Sequence, residues 1–247
     1  MTQREKDQVD AGEARNGRVE AAGRPVAVWD LPTRVFHWAL VALVCAGWIT
    51  GKLGRLDVHM KIGEAILALV LFRIAWGLVG SRYSRFGRFL VGPRKAIDHA
   101  RQLWAEVRRG AATARLSAQV GHTALGGWMV VAMLLALAVQ TGTGLFASDE
   151  IVTDGPLNHL VGSATAHWLD RIHSIDGWLI PTLVAIHVAA ALFYLLRVRE
   201  NLILPLITGR KRVPADATGI EFPFVNSSLA LGLLVLAAAI VWAIISI

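Results

Sequence analysis

Eight histidines stand in this chain of 247 residues: His37, His59, His99, His122, His159, His167, His173 and His187. Imidazole is the commonest side chain in metal coordination and the one that titrates near neutrality. His173 and His187 close the stretch "HSIDGWLIPTLVAIH", 14 residues apart. At 100° per residue, that spacing returns to within about 40° of the same helix face, and it spans about 21 Å. Pro181, between them, is a place where the helix can kink. One helix therefore offers two imidazoles to one side of a bundle, one near each end of a membrane-sized layer. A b-type haem iron needs two axial ligands and a flat apolar slot between helices. Two haems stacked across the layer need two further histidines at matching depths.

The elements that would supply those depths are apolar runs. The chain is 55% hydrophobic, above the usual soluble range of about 45–50%. Runs at 31–50, 62–80, 124–147, 175–196 and 227–247 are each long enough to cross a hydrocarbon core of about 30 Å as a helix. An all-α integral membrane fold follows, with a four-helix haem-binding bundle and a fifth, C-terminal transmembrane helix. Residues 1–27 are polar and mixed in charge and read as a disordered cytoplasmic tail. They lack the apolar core of a signal peptide. The bundle domain occupies 28–212, and 213–247 form a linker with the extra helix.

Loop charge orients the runs. Lys and Arg number six in residues 1–34, nine in 81–121 and five in 197–225. Residues 148–173 carry Arg171 against Asp149, Glu150, Asp154 and Asp170. By the positive-inside rule the N-terminus and the basic loops are cytoplasmic. The net charge of +7 then reflects those loops and gives no reason to expect nucleic acid. Residues 94–109, "RKAIDHARQLWAEVRR", read as an amphipathic helix on that basic face, with His99 interfacial. One cysteine, Cys45, excludes an internal disulfide, a cysteine-rich zinc site and C-x-x-C-H haem attachment.

With that topology, His59 and His173 both fall at the outer ends of their runs, while His37 and His187 lie in the inner halves of theirs. The expected ligand pairs are His59–His173 for an outer haem and His37–His187 for an inner one. His122, at the inner start of the third run in "GHTALGGW", is an alternative inner ligand, a partner for a haem propionate or quinone, or an ordinary helix-end residue. Arg73, a charge within the second run, needs an anion or a route to the surface. Arg34 is placed to meet a propionate or to act as a positive-inside anchor. His159 and His167 read as outer-loop residues, either at a quinone or partner site or simply solvated. Trp29, Trp38, Trp48, Trp168 and Trp178 suit an interfacial aromatic belt. Gly47, Gly63, Gly126 and Gly127 allow close approach of a haem or a helix. A non-redox reading remains at this point: a transporter or sensor with histidine proton relays.

The stretches "VWDLPTRVFHW", "LFRIAWGLVGSRYSRF", "VGHTALGGWM" and "HSIDGWLIPTLVAIHVAAALF…RENLILPLITGRKR" resemble the bacterial cytochrome b-561 and nickel-iron hydrogenase b-type cytochrome family over residues 26–212. The resemblance implies a four-helix membrane cytochrome of the bacterial inner membrane that holds two non-covalent b haems. It carries the ligand roles onto His37, His59, His173 and His187. It also implies electron exchange with the ubiquinone or menaquinone pool, and a redox partner such as a c-type cytochrome or a dehydrogenase or hydrogenase subunit. The fifth run departs from the four-helix pattern.

Overall fold

The protein is described from a computed structural model, which covers residues 23–109, 120–148, 153–214 and 217–247. Most of the proposed tail, residues 1–22, lies outside that range. Five helices are long and apolar enough to cross a membrane. They are α1 (Leu31–Lys52), α2 (Leu56–Val79), α5 (Ala124–Gly144), α6 (Ser163–Phe193) and α8 (Ser227–Ile245). Two helices lie between α2 and α5: α3 (Phe86–Phe89) and α4 (Pro93–Arg109). The short α7 (Ile203–Thr208) follows α6. The chain is a multi-pass, all-α membrane protein.

Local chemistry sets the helix starts. The Asp30 carboxylate accepts from the Thr33 amide at 2.8 Å, and Pro32 occupies the first turn of α1, where its missing N–H costs nothing. Thr123 caps α5 by accepting from the Gly126 amide at 3.0 Å. The Asn226 side chain caps α8 through the Ser228 amide at 2.9 Å. α6 starts at Ser163, twelve residues before the apolar run that marks it in sequence, because "SATAHWLDRIHS" continues the same helix. His167 is therefore helical and His173 stands ten residues inside α6, while His159 lies in a single 3₁₀ turn. A π-turn over Tyr194–Val198 and a left-handed Arg199 (φ 57°) end α6.

α2 is the central helix. Its buried residues Ile66, Ala68, Val70, Phe72, Arg73, Trp76 and Gly77 span a little over half of the helix circumference, while Ile74 and Leu78 are exposed on the opposite side. α1, α5 and α8 pack around it, and α6 packs along α5. Lipid removes most of the hydrophobic drive between helices, so close packing and small residues must hold them. The fifth helix follows this rule: Ala230 and Ala237 of α8 sit in one cluster with Phe36, Phe72, Trp76 and Leu134.

The reading of residues 1–27 as a tail needs correction at its C-terminal end. Arg24–Ala27 form β1, paired antiparallel with β2 (Arg210–Val213), with Arg24 opposite Val213. Val26 and Val28 are buried, a period-2 pattern that the polar composition conceals. The Val28 and Trp29 amides both donate to the Gly209 carbonyl, at 2.8 and 3.1 Å. Gly209 takes φ 80° there, a conformation glycine adopts without strain. The ribbon clasps the start of α1 to the end of α7.

Candidate functional site

The histidines that share a depth in sequence share it in space. The rings of His59 (α2) and His173 (α6) face each other, with centroids 6.1 Å apart and planes at 90°. The rings of His37 (α1) and His187 (α6) lie 6.5 Å apart at 53°. A metal binds an imidazole nitrogen at about 2.0–2.1 Å, and a ring centroid lies about 1.2 Å behind that nitrogen. Two axial imidazoles on one iron therefore sit about 6.4 Å apart, and both pairs match. Among the described residues there is no group of three or more His, Cys, Asp or Glu side chains suited to a metal, so the donor chemistry is that of two-imidazole sites.

The pairs also have room between them. α6 packs along α5, but its backbone makes little contact with α1 or α2. Asp176 is the one buried residue along α6. Imidazoles, with apolar side chains such as Ile180, which packs on the Ile66–Val70–Leu137 cluster, thus bridge helices whose backbones are not themselves in close contact. Gly63, one turn beyond His59 on α2, has open space where a Cβ would project.

At the His59 end, backbone carbonyls orient both rings. His59 Nδ1 lies 2.8 Å from the Gly47 carbonyl oxygen, and His173 Nδ1 lies 2.9 Å from that of Gln140. A carbonyl only accepts, so each Nδ1 carries the proton and each Nε2 keeps its lone pair for a metal. Thr143 Oγ1 stands 3.5 Å from His173 Nδ1. The Gln140 side-chain amide meets His173 Nε2 at 3.2 Å, and Gln140 Oε1 is buried with no hydrogen-bond partner. Small residues admit the rings: a Cβ on Gly51 would come 3.1 Å from His59, and one on Gly144 would come 2.9 Å from His173. At the other end, His37 Nδ1 is buried with no hydrogen-bond partner, and the ring packs edge-on to Trp38 at 5.0 Å.

The remaining candidates gather at the basic end of the bundle, apart from the ring pairs. Arg73 is 3% exposed, so its side chain does not snorkel to the surface. Its guanidinium lies 4.9 Å over the Phe86 ring, and Nη1 is buried with no hydrogen-bond partner. Nearby, Asp30 accepts from Trp76 Nε1 at 3.2 Å and Ser84 Oγ at 3.3 Å. His122 packs against Trp29 at 4.7 Å and Phe89 at 4.1 Å. Burial and the positive charge of Arg73 lower its pKa to about 3, partly offset by a hydrogen bond to the Tyr83 backbone. Arg34 Nη1 donates to the Ile207 carbonyl at 2.7 Å, at the carbonyl end of α7, where a cation is favoured. Sequence reasoning passed over Gly51, Gly144, Gln140 and the buried carboxylates Asp30 and Asp176. Two of these had a readable signal: Asp30 stands at the cap position before Leu31-Pro32, and Asp176 is an acid inside an apolar run.

An α-helical membrane bundle with two facing imidazole pairs defines a membrane electron-transfer protein of the b-type cytochrome class. Residues 28–209 match the prokaryotic cytochrome b561 family, and the chain belongs to that family. It is 24% identical over 225 residues to a probable Ni/Fe-hydrogenase B-type cytochrome subunit of Bradyrhizobium diazoefficiens, covering 78% of this chain and 88% of the relative. It is 25% identical over 198 residues to a probable Ni/Fe-hydrogenase 1 B-type cytochrome subunit of Escherichia coli K12, covering 67% and 81%. No solved structure matches. The family implies haem b, and the two imidazole pairs fit it.

Proposed function

We propose that this chain is a di-haem cytochrome b that carries electrons across the bacterial inner membrane between the quinone pool and a redox partner. His59 and His173 would hold one b haem and His37 and His187 the other. The observation that carries this reading is the pair of ring separations, 6.1 and 6.5 Å, on helices whose backbones are otherwise kept apart. When bound, each haem would supply a one-electron Fe³⁺/Fe²⁺ couple, and two histidines held to each iron would suit it to electron transfer rather than oxygen chemistry. The protein's own part is placement. Gly47 and Gln140 fix the tautomers of one pair, and the sheath of α1, α2, α5 and α6 excludes water. Gln140 must release His173 Nε2 when iron binds there.

The N-terminus and basic loops face the cytoplasm in this reading, which the Lys/Arg asymmetry supports. That orientation puts the His37–His187 haem inside and the His59–His173 haem outside. A quinone headgroup would sit at the basic end, where the buried Arg73 Nη1 can donate to a carbonyl oxygen and Phe86 offers a ring face. Arg34 and His122 border that region. The names of the relatives favour a hydrogenase-type partner, for which this chain would be the membrane-anchored electron relay. A c-type cytochrome or another dehydrogenase is the alternative partner.

Haem content tests the assignment. Pyridine haemochrome assay of the purified protein should give two haems per chain. Alanine at His59 or His173 should remove one haem, and alanine at His37 or His187 the other. Haem loss in His122→Ala with none in His37→Ala would overturn the inner pair. A protein with no b-type band that shifts on dithionite reduction would overturn the reading altogether. Co-purification of a hydrogenase would favour the relay role over a stand-alone quinol oxidoreductase.

A further inference from the structure

α4 is amphipathic in an unusual way: its solvent-facing side carries large apolar residues. Ala96 and Leu103 are buried, and Leu103 packs with Tyr194 and Val198 at the end of α6. His99 Nε2 reaches the Tyr194 hydroxyl at 3.4 Å. Just before α4, Phe89 meets the site of Gly127, and the Val91 carbonyl accepts from Trp128 Nε1 at 3.0 Å. The segment therefore starts against the first turn of α5 and runs to the last turn of α6, crossing the basic end of the bundle at its edge. That path holds α4 at the level where the transmembrane helices leave the hydrocarbon.

Ile97 is 51% and Trp104 59% exposed among the described residues. At 100° per residue, Arg94, Ile97, Arg101, Trp104 and Arg108 fall within an arc of about 80°. The stripe borders the buried face formed by Ala96, Leu103 and Val107. The Arg108 guanidinium lies 5.2 Å from the Trp104 ring. Arg101 approaches Asp98 at 3.7 Å, with both side chains largely exposed, an arrangement that binds weakly in water. Over residues 94–109 the sequence has five basic residues against two acidic ones. Apolar anchors interleaved with arginines, beside the ends of membrane helices, match the surface of a bilayer. Tryptophan suits the headgroup boundary, and guanidinium groups pair with phosphate in a forked geometry.

We propose that α4 is an anionic-phospholipid site. Ile97 and Trp104 enter the boundary between headgroups and acyl chains, while Arg94, Arg101 and Arg108 hold lipid phosphates. This rests on the membrane placement of the bundle and is independent of the haem ligands. The test uses the full-length, haem-loaded protein in nanodiscs, with Ile97→Cys in a Cys45→Ala background carrying an environment-sensitive fluorophore. In discs of phosphatidylcholine with phosphatidylglycerol the emission should shift to the blue and be quenched by brominated lipid. In phosphatidylcholine alone the effect should be smaller. Replacing Arg94, Arg101 and Arg108 with Gln should abolish the difference and lower phosphatidylglycerol retention by about fivefold per arginine, with the haem spectrum unchanged as the check on folding. Aqueous emission in both lipids or equal burial in both would each overturn the proposal.

Discussion

The proton on His59 is assigned by Gly47: the ring's Nδ1 lies 2.8 Å from that residue's carbonyl oxygen, so Nε2 faces His173 with its lone pair free. Gly47 lies on α1 and His59 on α2, so this contact ties α1 to α2, while the His59 ring lies 6.1 Å from that of His173 on α6. The glycine that makes room for the ring is Gly51, one turn further along α1, where a Cβ would stand 3.1 Å from His59; a Cβ at Gly47 would meet Ile62 instead.

Glycine substitutions next to the rings should therefore act selectively. A Cβ at Gly51 or Gly144 would stand 3.1 or 2.9 Å from the His59 or His173 ring, closer than ordinary van der Waals contact. Gly51→Val and Gly144→Val should each displace a ligand and lower the haem content to about one per chain. The spectrum of the remaining haem should match that of the His59→Ala variant. Retention of both haems in both variants would show that the rings tolerate the displacement.

Asp30 should prove a structural carboxylate of unusual weight. It is 2% exposed, caps α1 through Thr33, and accepts from Trp76 and Ser84. Loss of a cap costs about 1 kcal/mol, and each donor orphaned in the interior costs about 1–3 kcal/mol more. Asp30→Ala should lower the thermal midpoint in detergent clearly more than Asp30→Asn, whose amide oxygen can still accept. Equal midpoints would remove Asp30 from the packing of the basic end.

The parts legible in sequence are those that depend on period and length. Long apolar runs marked the helices, and the 14-residue spacing in α6 predicted two imidazoles on one face, which meet His59 and His37. What the sequence hid depends on close approach between segments far apart in the chain. Gly51 and Gly144 carry no local mark of the rings that abut them, and Gln140 looks like an ordinary polar residue in an apolar helix. β1 was lost in the composition of the polar segment before it. Arg73 illustrates competition between two rules: its length permits snorkelling, yet the ring of Phe86 and the neighbouring Asp30 keep it inside.

The small residues of α8 should be intolerant of volume. Ala230 and Ala237 pack against Phe36, Phe72 and Trp76, whereas Leu231 is 63% exposed on the lipid side. Overpacking a filled core costs about 1–3 kcal/mol. Ala237→Leu should reduce detergent stability or detach α8, as read by its susceptibility to proteolysis, while Leu231→Ala should change little. Similar behaviour of the two variants would mean that α8 is only loosely docked.

His122 should make the protein acid-sensitive. Its pKa is about 3 in the folded chain against 6.5 when unfolded, chiefly through burial. Between those values the unfolded chain binds a proton that the folded chain does not, so stability rises with pH across the interval. The full contribution is present above pH 6.5 and is lost progressively as pH falls toward 3. Its steepest slope is about 1.4 kcal/mol per pH unit. The thermal midpoint of the wild type should drop between pH 7.5 and 5.0, and His122→Asn, which cannot titrate, should show a smaller drop between the same two values. The comparison is made within each variant, so any loss of packing against Trp29 and Phe89 lowers both of its midpoints and leaves the pH difference interpretable. An equal drop in the two proteins would place the acid sensitivity elsewhere and mean that the folded His122 ring accepts a proton as readily as the unfolded one.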